Sequence, residues 1–313
     1  MKSYDAILSM YLKMLEEDDK NRRRVSDEIY KNQSPKGKHK DTIEKKIKER
    51  LFEESTKSLD NQLVDSPIYL PFFLNIGKEY GNGIEKNIYK DKFLKRKGEI
   101  KTFFNKSFDL MQSVINFEKE LDGIKAIKTK WVVLRYEFEL QEVYFSKDDT
   151  AFYVIDNPLK KDKTFKIPYI APSTWKGMIR WVAIKHFKDK KANIKRLFGI
   201  QKGAEEETDA SANLRIYPSF FNNLDLDLIN PMDRKSRKGT QPIYFEVIPK
   251  GTKSTLTLVY IPKFHEQQYF DEDVKVLEES IKLLIETYGI SAKRSSGWGK
   301  AKIISANKDM KRG

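Results

Sequence analysis

The chain has 313 residues, 39% of them hydrophobic, which is enough for one large domain or two modest ones with a real core. Its 60 Lys and Arg outnumber its 46 Asp and Glu, and the formal charge of +14 favours a polyanionic partner such as nucleic acid or an acidic membrane. The absence of cysteine excludes disulfide scaffolds, thiol catalysis and cysteine-ligated metal sites.

The sequence does not predict export or membrane insertion. The N-terminal segment has acidic residues by its second turn and no continuous apolar core, so it is not a signal peptide. No uncharged apolar run reaches the roughly 18 residues that a membrane-spanning helix needs. These features predict a cytoplasmic protein. A general bias toward Lys and Glu is an alternative explanation of the high charge content.

Residues 1–129 are predicted to form a helical N-terminal extension. Apolar residues recur at three- and four-residue spacing over residues 4–15, as in an amphipathic helix. A longer helix is predicted over residues 92–121, which are rich in aromatic and aliphatic side chains. Asp122 and Gly123 are expected to end this helix.

The hydrophobic period changes from about 3.6 to about 2 residues at Lys130, where a long strand is expected to begin. From there the patterns predict the order strand, helix, strand, strand, helix, strand, with one extra strand between the two helices. This order predicts an α+β fold of the ferredoxin-like (RRM-like) type in residues 130–313, with helices on one face of an antiparallel sheet. RNA-recognition domains of this type bind through the open sheet face and the loops.

Residues 155–180, IDNPLKKDKTFKIPYIAPSTWKGMIR, combine a basic loop with the start of a helix. Free N–H groups and the positive dipole end of a helix attract phosphate, hydroxyls and cations add donors, and a glycine permits close approach. In the structural alternative, Ser173 caps the helix and Arg180 forms a salt bridge elsewhere. The candidate RNA-binding residues are Lys160, Lys161, Ser173, Thr174, Lys176, Gly177 and Arg180.

Two further loops carry cations beside turn-forming residues. Residues 289–300 contain glycines, serines, two adjacent cations and a tryptophan, a combination suited to gripping phosphates and stacking a base. Residues 222–242 form a long connection between two strands, either as a projecting hairpin or thumb or as a disordered surface loop. The candidate RNA contacts in these loops are Lys293, Arg294, Ser295, Trp298, Arg234 and Arg237.

Asp156 is the main candidate for a catalytic residue. It follows the apolar run at residues 152–155 and precedes an Asn-Pro pair at the edge of the basic loop. Asp-Asn-Pro is also a common turn-forming triplet, and Asp148 and Asp149 are nearby alternatives. The three histidines show no metal-binding spacing, and the sequence has no glycine-rich nucleotide-binding motif.

Three segments, in this order, resemble the signature of the RAMP superfamily of CRISPR-associated proteins. They are IDNPLKKDKTFKIPYIAPSTWKGMIR, INPMDRKSRKGTQPIYFEVIPKGTKSTL and SAKRSSGWGKAKI. The resemblance covers roughly residues 130–305. It implies a ferredoxin-like fold and a backbone-like subunit of a type III effector complex. The implied partners are CRISPR guide RNA, target RNA and other effector subunits, with no membrane.

The same resemblance implies roles for individual residues. Ser173, Lys176 and Arg180 fall on the guide-binding helix start, and Asp156 falls on the aspartate with which type III backbone subunits cut target RNA. Asp156 would then bind a divalent metal, Mg²⁺ or Mn²⁺, or orient the attacking 2′-hydroxyl. The chain would be a metal-dependent endoribonuclease. The alternative is a non-catalytic capping or architectural RNA-binding subunit, whose added domain would be the helical extension.

A third possibility within the superfamily is a standalone ribonuclease that processes repeat RNA without metal. The lack of a well-placed histidine argues against it.

Overall fold

The computed structural model describes residues 97–115, 117–148, 157–200, 211–230 and 242–312. The predictions for residues 1–96, for Asp156 and for the loop residues Arg234 and Arg237 lie outside the described residues. The domain boundary at residue 130 therefore stays a prediction.

Two helices precede the sheet where the sequence predicts one. Helix α1 spans Lys97–Val114 and helix α2 spans Phe117–Lys125. Asp122 and Gly123 lie inside α2 rather than ending a helix, because the next residue, Ile124, is buried in a cluster with Trp131 on the sheet. That burial outweighs the low helix propensity of glycine, which costs about 1 kcal/mol relative to alanine.

The remaining elements follow in mixed order along the chain. Strands β1 (Trp131–Leu140) and β2 (Tyr169–Ile170) precede helices α3 (Pro172–His186) and α4 (Lys191–Phe198). Five strands come next: β3 (Leu214–Ile216), β4 (Ser219–Phe220), β5 (Asp225–Ile229), β6 (Ile243–Val247) and β7 (Lys253–Tyr260). Helix α5 (Phe270–Leu283) continues into a π-helical turn (Leu284–Tyr288) and is followed by β8 (Ala301–Lys311).

The main sheet confirms the predicted fold class. Its strand order is β3-β7-β1-β8, and every neighbouring pair is antiparallel. Helix α3 connects β1 to β3, and β7 lies between those two strands. Helix α5 connects β7 to β8, and β1 lies between them. Two interlocked split βαβ units of this kind define the ferredoxin-like arrangement.

The two faces of the sheet have different neighbours. Phe138 of β1 points to the face covered by α3, where its ring meets Trp175 edge-on at 5.8 Å. On the opposite face, Val133 and Val259 pack against α2 through Leu121. Side chains alternate along β1, so Arg135 and Glu137 lie on the same face as Val133. That second face carries apolar residues at one end and polar residues at the other.

The strand predicted over residues 214–221 is broken in two. Pro218 interrupts it because proline has no N–H to donate to a sheet, and β4 pairs with β2 instead of extending the main sheet. The hydroxyl of Ser219 still donates to the carbonyl of Thr255 on β7 at 2.7 Å, so β4 stays attached to the core.

The predicted loop at residues 222–242 contains β5 and leads directly into β6, and these two strands form a hairpin. Strand β5 pairs with β6 from Asp225 opposite Val247 to Ile229 opposite Ile243. Residues 231–241, between the two strands in sequence, lie outside the described residues. The alternation of Leu and Asp in β5 is a period-two signal that the sequence interpretation overlooked.

A buried carboxylate connects α4, which the sequence analysis did not predict, to the core. Asp273 is fully buried on α5 and accepts hydrogen bonds from Arg196 (2.7 and 2.8 Å), Asn193 (2.7 Å) and Tyr260 (2.6 Å). Burial and the bond to this carboxylate raise the pKa of Tyr260, so the phenol keeps its proton and remains a donor. The charge of Arg196 is therefore paired inside the protein.

Candidate functional site

The basic loop after Asp156 is held by strand β6. The side-chain amide of Asn157 donates to the carbonyl of Tyr244 at 3.3 Å, and the N–H of Glu246 donates to the carbonyl of Asn157 at 3.1 Å. The backbone N–H of Leu159 donates to the Glu246 carboxylate at 2.9 Å. These bonds fix the backbone on the C-terminal side of the predicted catalytic position.

The two lysines of this loop have different surroundings. Lys161 forms an ion pair with the buried carboxylate of Glu246, and its side chain is only 11% exposed. Lys160 is half-buried, and its N–H donates to the carbonyl of Ser146 at 2.8 Å. Lys161 therefore anchors the loop through Glu246, and the RNA contact that the sequence predicts for Lys161 stays a prediction.

One alternative acidic residue lies beside the same loop. The N–H of Asp148 donates to the carbonyl of Pro158 at 3.0 Å, two residues beyond Asp156. Within the described ranges there is no group of three acidic or histidine side chains that could hold a metal ion. The predicted metal ligand, Asp156, lies outside those ranges.

Helix α3 begins without a side-chain cap. Ala171 is the N-cap residue and Pro172 occupies the first helical position, so Ser173 is not the cap that the structural alternative required. Ser173 is exposed and Thr174 is half-exposed in the first turn. Gly177 is exposed too, and no atom lies within 4 Å of the position of an added Cβ, so a ligand can approach the backbone closely there.

Two cations lie one turn apart on α3. Partial burial and the nearby positive charge of Arg180 lower the pKa of Lys176. The Nε of Arg180 is buried and has no hydrogen-bond partner among the described residues. The ion pairs found within those residues include neither side chain, which removes the alternative that Arg180 is engaged in a salt bridge with another described residue.

The glycine-rich loop, residues 289–300, lies against the same helix. The guanidinium carbon of Arg294 is 4.8 Å from the ring centroid of Trp181 on α3. Its Nη1 is buried and has no partner in the described part of the chain. Buried donors without acceptors are rare in folded proteins because each costs about 1–3 kcal/mol. Arg180 and Arg294 thus present unfilled donors on adjacent elements.

The base of the glycine-rich loop is closed by close backbone contacts. The hydroxyl of buried Ser291 donates to the carbonyl of Phe145 and accepts from its N–H, both at 3.0 Å. Gly299 has φ +75°, and a Cβ on it would overlap Ser291. Gly289 has φ +79°, with the carbonyl of Trp298 only 3.1 Å from an added Cβ. These two glycines are required by the close packing of the loop.

Strand β6 is the point where the three loops meet. Asn157 forms an isolated bridge with Phe245, and the Nζ of Lys293 is 4.9 Å from the Phe245 ring centroid. Trp298 meets the rings of Phe245 and Phe145 edge-on, at 5.8 and 6.3 Å. The indole is half-buried in this cluster, and the neighbouring Ser295 is exposed. Trp298 therefore packs against the β6 aromatic cluster, and the base stacking that the sequence predicts for it stays a prediction.

Sequence reasoning included the glutamate-bearing strand in the family resemblance but gave neither Phe245 nor Glu246 a role in the site. A signal was present, because Glu246 stands between two apolar residues in the strand IYFEV. An isolated carboxylate in a buried strand needs a partner, since an unpaired buried charge is costly. Here the partners are Lys161 and the N–H of Leu159.

The four cations carried by α3 and by the glycine-rich loop that contacts it, Lys176, Arg180, Lys293 and Arg294, are called the cation site below. No ion pair within the described residues involves any of them. The family model of the RAMP superfamily matches residues 126–302. The chain belongs to the RAMP superfamily. In this RAMP protein, the matched residues include the whole cation site and the strand that organises it.

Two solved structures are similar to this RAMP protein. One is from "Cryo-EM structure of the Type III-B Cmr-beta bound to cognate target RNA", with a TM-score of 0.48, 13% identity, and coverage of 87% of this chain and 92% of that chain. The other is from "Crystal structure of Csm3-Csm4 subcomplex in the type III-A CRISPR-Cas interference complex", with a TM-score of 0.38, 19% identity, and coverage of 58% and 80%. No curated protein matches the chain.

None of the helices within the described residues combines the length and apolar character needed to cross a membrane.

Proposed function

We propose that this RAMP protein is a subunit of a type III CRISPR effector complex and binds the phosphate backbone of the guide RNA at the cation site. One observation carries the proposal: Arg180 and Arg294 have buried donors without partners, on two adjacent elements with no carboxylate paired to them among the described residues. Guanidinium groups in such a position suit phosphate oxygens, which accept charge-assisted hydrogen bonds.

Phosphate contacts hold an RNA strand without reading its sequence. The cation site offers a start-of-helix segment, an exposed Gly177 and cations, which can follow a sugar-phosphate chain of any sequence. Base pairing between the guide and a target RNA would then select the target, as in other RNA-guided systems. Target RNA and other effector subunits are the further partners in this proposal.

The test replaces Lys176 and Arg180 with glutamate and measures binding of a labelled, unstructured single-stranded RNA by the full chain. We expect the affinity to fall by at least about tenfold and the slope of log affinity against log salt to decrease by about 1.4, for two lost phosphate contacts on a single strand. The matched control is the double variant K275E/K282E, which changes charge equally at exposed lysines on α5. Equal losses in the two variants would contradict the proposal.

Cleavage of target RNA is a separate proposal, and it rests on Asp156. We propose that Asp156 positions the reacting 2′-hydroxyl or ligates a divalent ion. The support is that Asn157 is fixed to β6, which restricts where the preceding residue can lie. Any divalent ion would need further ligands from RNA or from residues outside the described ranges, because no described cluster of three acids or histidines could hold it.

The test compares Asp156→Ala and Asp148→Ala in a reconstituted effector complex supplied with Mg²⁺ and base-paired target RNA. We expect Asp156→Ala to abolish cleavage while guide binding stays unchanged, and Asp148→Ala to leave cleavage largely intact. Full cleavage by the Asp156→Ala variant would instead support the non-catalytic capping or architectural role.

A further inference from the structure

A groove of about 800 Å³ lies on the sheet face opposite α3 and α5. One wall is helix α1, which contributes Phe108 and Met111, and the floor is the polar end of the sheet, including Thr255 and Thr257 of β7. A hydrogen bond of 3.2 Å from the side chain of Asn222 to that of Asn105 connects α1 to the segment after β4. The groove is therefore built from several elements of the described core.

The rim of the groove carries positive charge. Lys250 comes from the turn between β6 and β7, Lys253 is the first residue of β7, and Lys101 comes from α1. All three are exposed, and the ion pairs within the described residues include none of them. Glu137 is the one acidic residue among the described residues that line the groove. The charge of the rim therefore complements an anionic occupant.

The interior of the groove offers both flat apolar surface and hydrogen-bonding groups. Phe108 provides aromatic surface, and the side chains of Thr255, Thr257 and Gln112 provide donors and acceptors. An aromatic surface beside cations is the combination by which proteins bind single-stranded nucleic acid, because bases stack while phosphates pair with lysine. The volume lies in the range of small-ligand clefts, which suits a few nucleotides of single strand and is too small for a duplex.

We propose that this groove is a second RNA-binding site, which takes a short single-stranded RNA segment with its phosphates on Lys101, Lys250 and Lys253. It is distinct from the cation site, because alternation along β1 places Phe138, which contacts α3, and Glu137, which lines the groove, on opposite faces of the sheet. The proposal for the groove rests on the proposed function only because RNA is the ligand of both sites. It extends the RNA contact to the sheet face that α3 does not cover.

The turn Pro249-Lys250-Gly251-Thr252 forms one edge of the groove, with Lys250 and Gly251 exposed. The N–H of Gly251 donates to the carbonyl of Leu140 at 2.8 Å. The hydroxyl of Thr252 donates to the carbonyl of Pro249, also at 2.8 Å. Gly251 has φ +82° with open space at the Cβ position. The backbone of the turn is therefore fixed to the core, while Lys250 in the turn and Lys253 at the start of β7 remain exposed.

The first experiment compares the full-length K250E/K253E variant with the K275E/K282E control described above. The probe is a labelled, unstructured single-stranded RNA long enough to reach both faces. We expect K250E/K253E to lower affinity about tenfold relative to the control and to reduce the salt slope by about 1.4. A loss no greater than that of the control would overturn the proposal.

A second variant changes shape without changing charge. Thr255→Trp, at an exposed position on β7, should fill the groove and lower RNA affinity several-fold while leaving the salt slope unchanged. Circular dichroism and the unfolding midpoint would verify that the variant is folded. RNA affinity equal to that of the unsubstituted chain would contradict a groove-bound strand.

The two sites can be separated by combining variants. If they are independent, the fold losses of K250E/K253E and K176E/R180E multiply. If only K250E/K253E lowers RNA affinity, the proposed guide-RNA site is wrong and the groove is supported. If only K176E/R180E lowers RNA affinity, the groove proposal is wrong and the guide-RNA site is supported. If K250E/K253E binds RNA like its control but loses another subunit in the reconstituted complex, the groove docks protein and the RNA proposal is wrong.

Discussion

Two arginines show how this protein uses positive charge in different regions. Arg196, at the junction of α4 and α5, donates two hydrogen bonds to Asp273 and stacks on Tyr269 at 4.2 Å. Arg294, in the glycine-rich loop, lies over Trp181 and has a buried donor without a partner among the described residues. The first is a structural cation whose charge is neutralised internally. The second is held in position by an aromatic ring, which leaves its charge for a ligand.

The same contrast separates Lys161 from Lys176. Lys161 is paired with buried Glu246, whereas Lys176 has a lowered pKa because it is partly buried beside Arg180. A folded protein keeps like charges together at some cost, and a bound anion would relieve that cost. The cation site therefore differs from these ion pairs because no carboxylate among the described residues is paired with its cations.

The largest expected effect comes from breaking the paired region. Replacing Asp273 with Ala leaves Arg196, Asn193 and Tyr260 without their buried acceptor, and we expect the free energy of unfolding to fall by about 3–5 kcal/mol. Urea unfolding measures the change. RNA affinity of the folded variant should stay close to that of the unsubstituted chain. A large loss of affinity in the folded variant would show that the two regions are not separate.

A smaller effect is expected from the base of the glycine-rich loop. Gly299→Ala forces a Cβ into Ser291 and strains a positive φ, so we expect a loss of about 2–3 kcal/mol in the free energy of unfolding, together with weaker RNA binding. Gly297→Ala is the matched control, since it has φ +82° with open space around it. The free energy of unfolding of the Gly297→Ala variant should fall by only about 1 kcal/mol. Equal losses would mean that the contact with Ser291 is unimportant.

The smallest expected effect is a pH dependence at Lys176. Its folded-state pKa is lowered, so this lysine loses its proton at a lower pH than an ordinary lysine does. Binding of a phosphate favours the charged form, and RNA affinity should therefore decline as pH rises toward that lowered pKa. Lys176→Arg keeps its charge throughout and should flatten the decline. Fluorescence titrations between neutral and alkaline pH measure the RNA affinity of both proteins. If affinity depends on pH in the same way for Lys176→Arg and for the unsubstituted chain, Lys176 does not contact the phosphate.

Much of the fold was predictable because it depends on local periodicity. The change of hydrophobic period near Lys130 predicts β1, and the order of later patterns predicts the split βαβ arrangement that the sheet confirms. The continuation of α2 through Asp122 and Gly123 was not predictable from propensity. It depends on Ile124 being buried against the sheet, which is a contact between elements.

The sequence also predicted which loops carry cations, but it did not reveal which cations are paired. Lys161 and Arg294 look alike in a sequence, since each stands beside another cation in a turn-rich segment. The partner of Lys161 is Glu246, 85 residues away, and the partner of Arg196 is Asp273, 77 residues away. No local pattern encodes such distant pairs.

The sequence by itself determined the ferredoxin-like order of elements and the family, because the period of apolar residues and three ordered motifs are properties of the chain alone. The tertiary structure alone decided the division of labour among the cations. Packing brings Glu246 to Lys161 and Asp273 to Arg196, whereas it places Arg294 over the ring of Trp181 with no ion pair among the described residues. Charge is a property of each residue, but its neutralisation depends on which side chains the fold places within a few ångströms of it.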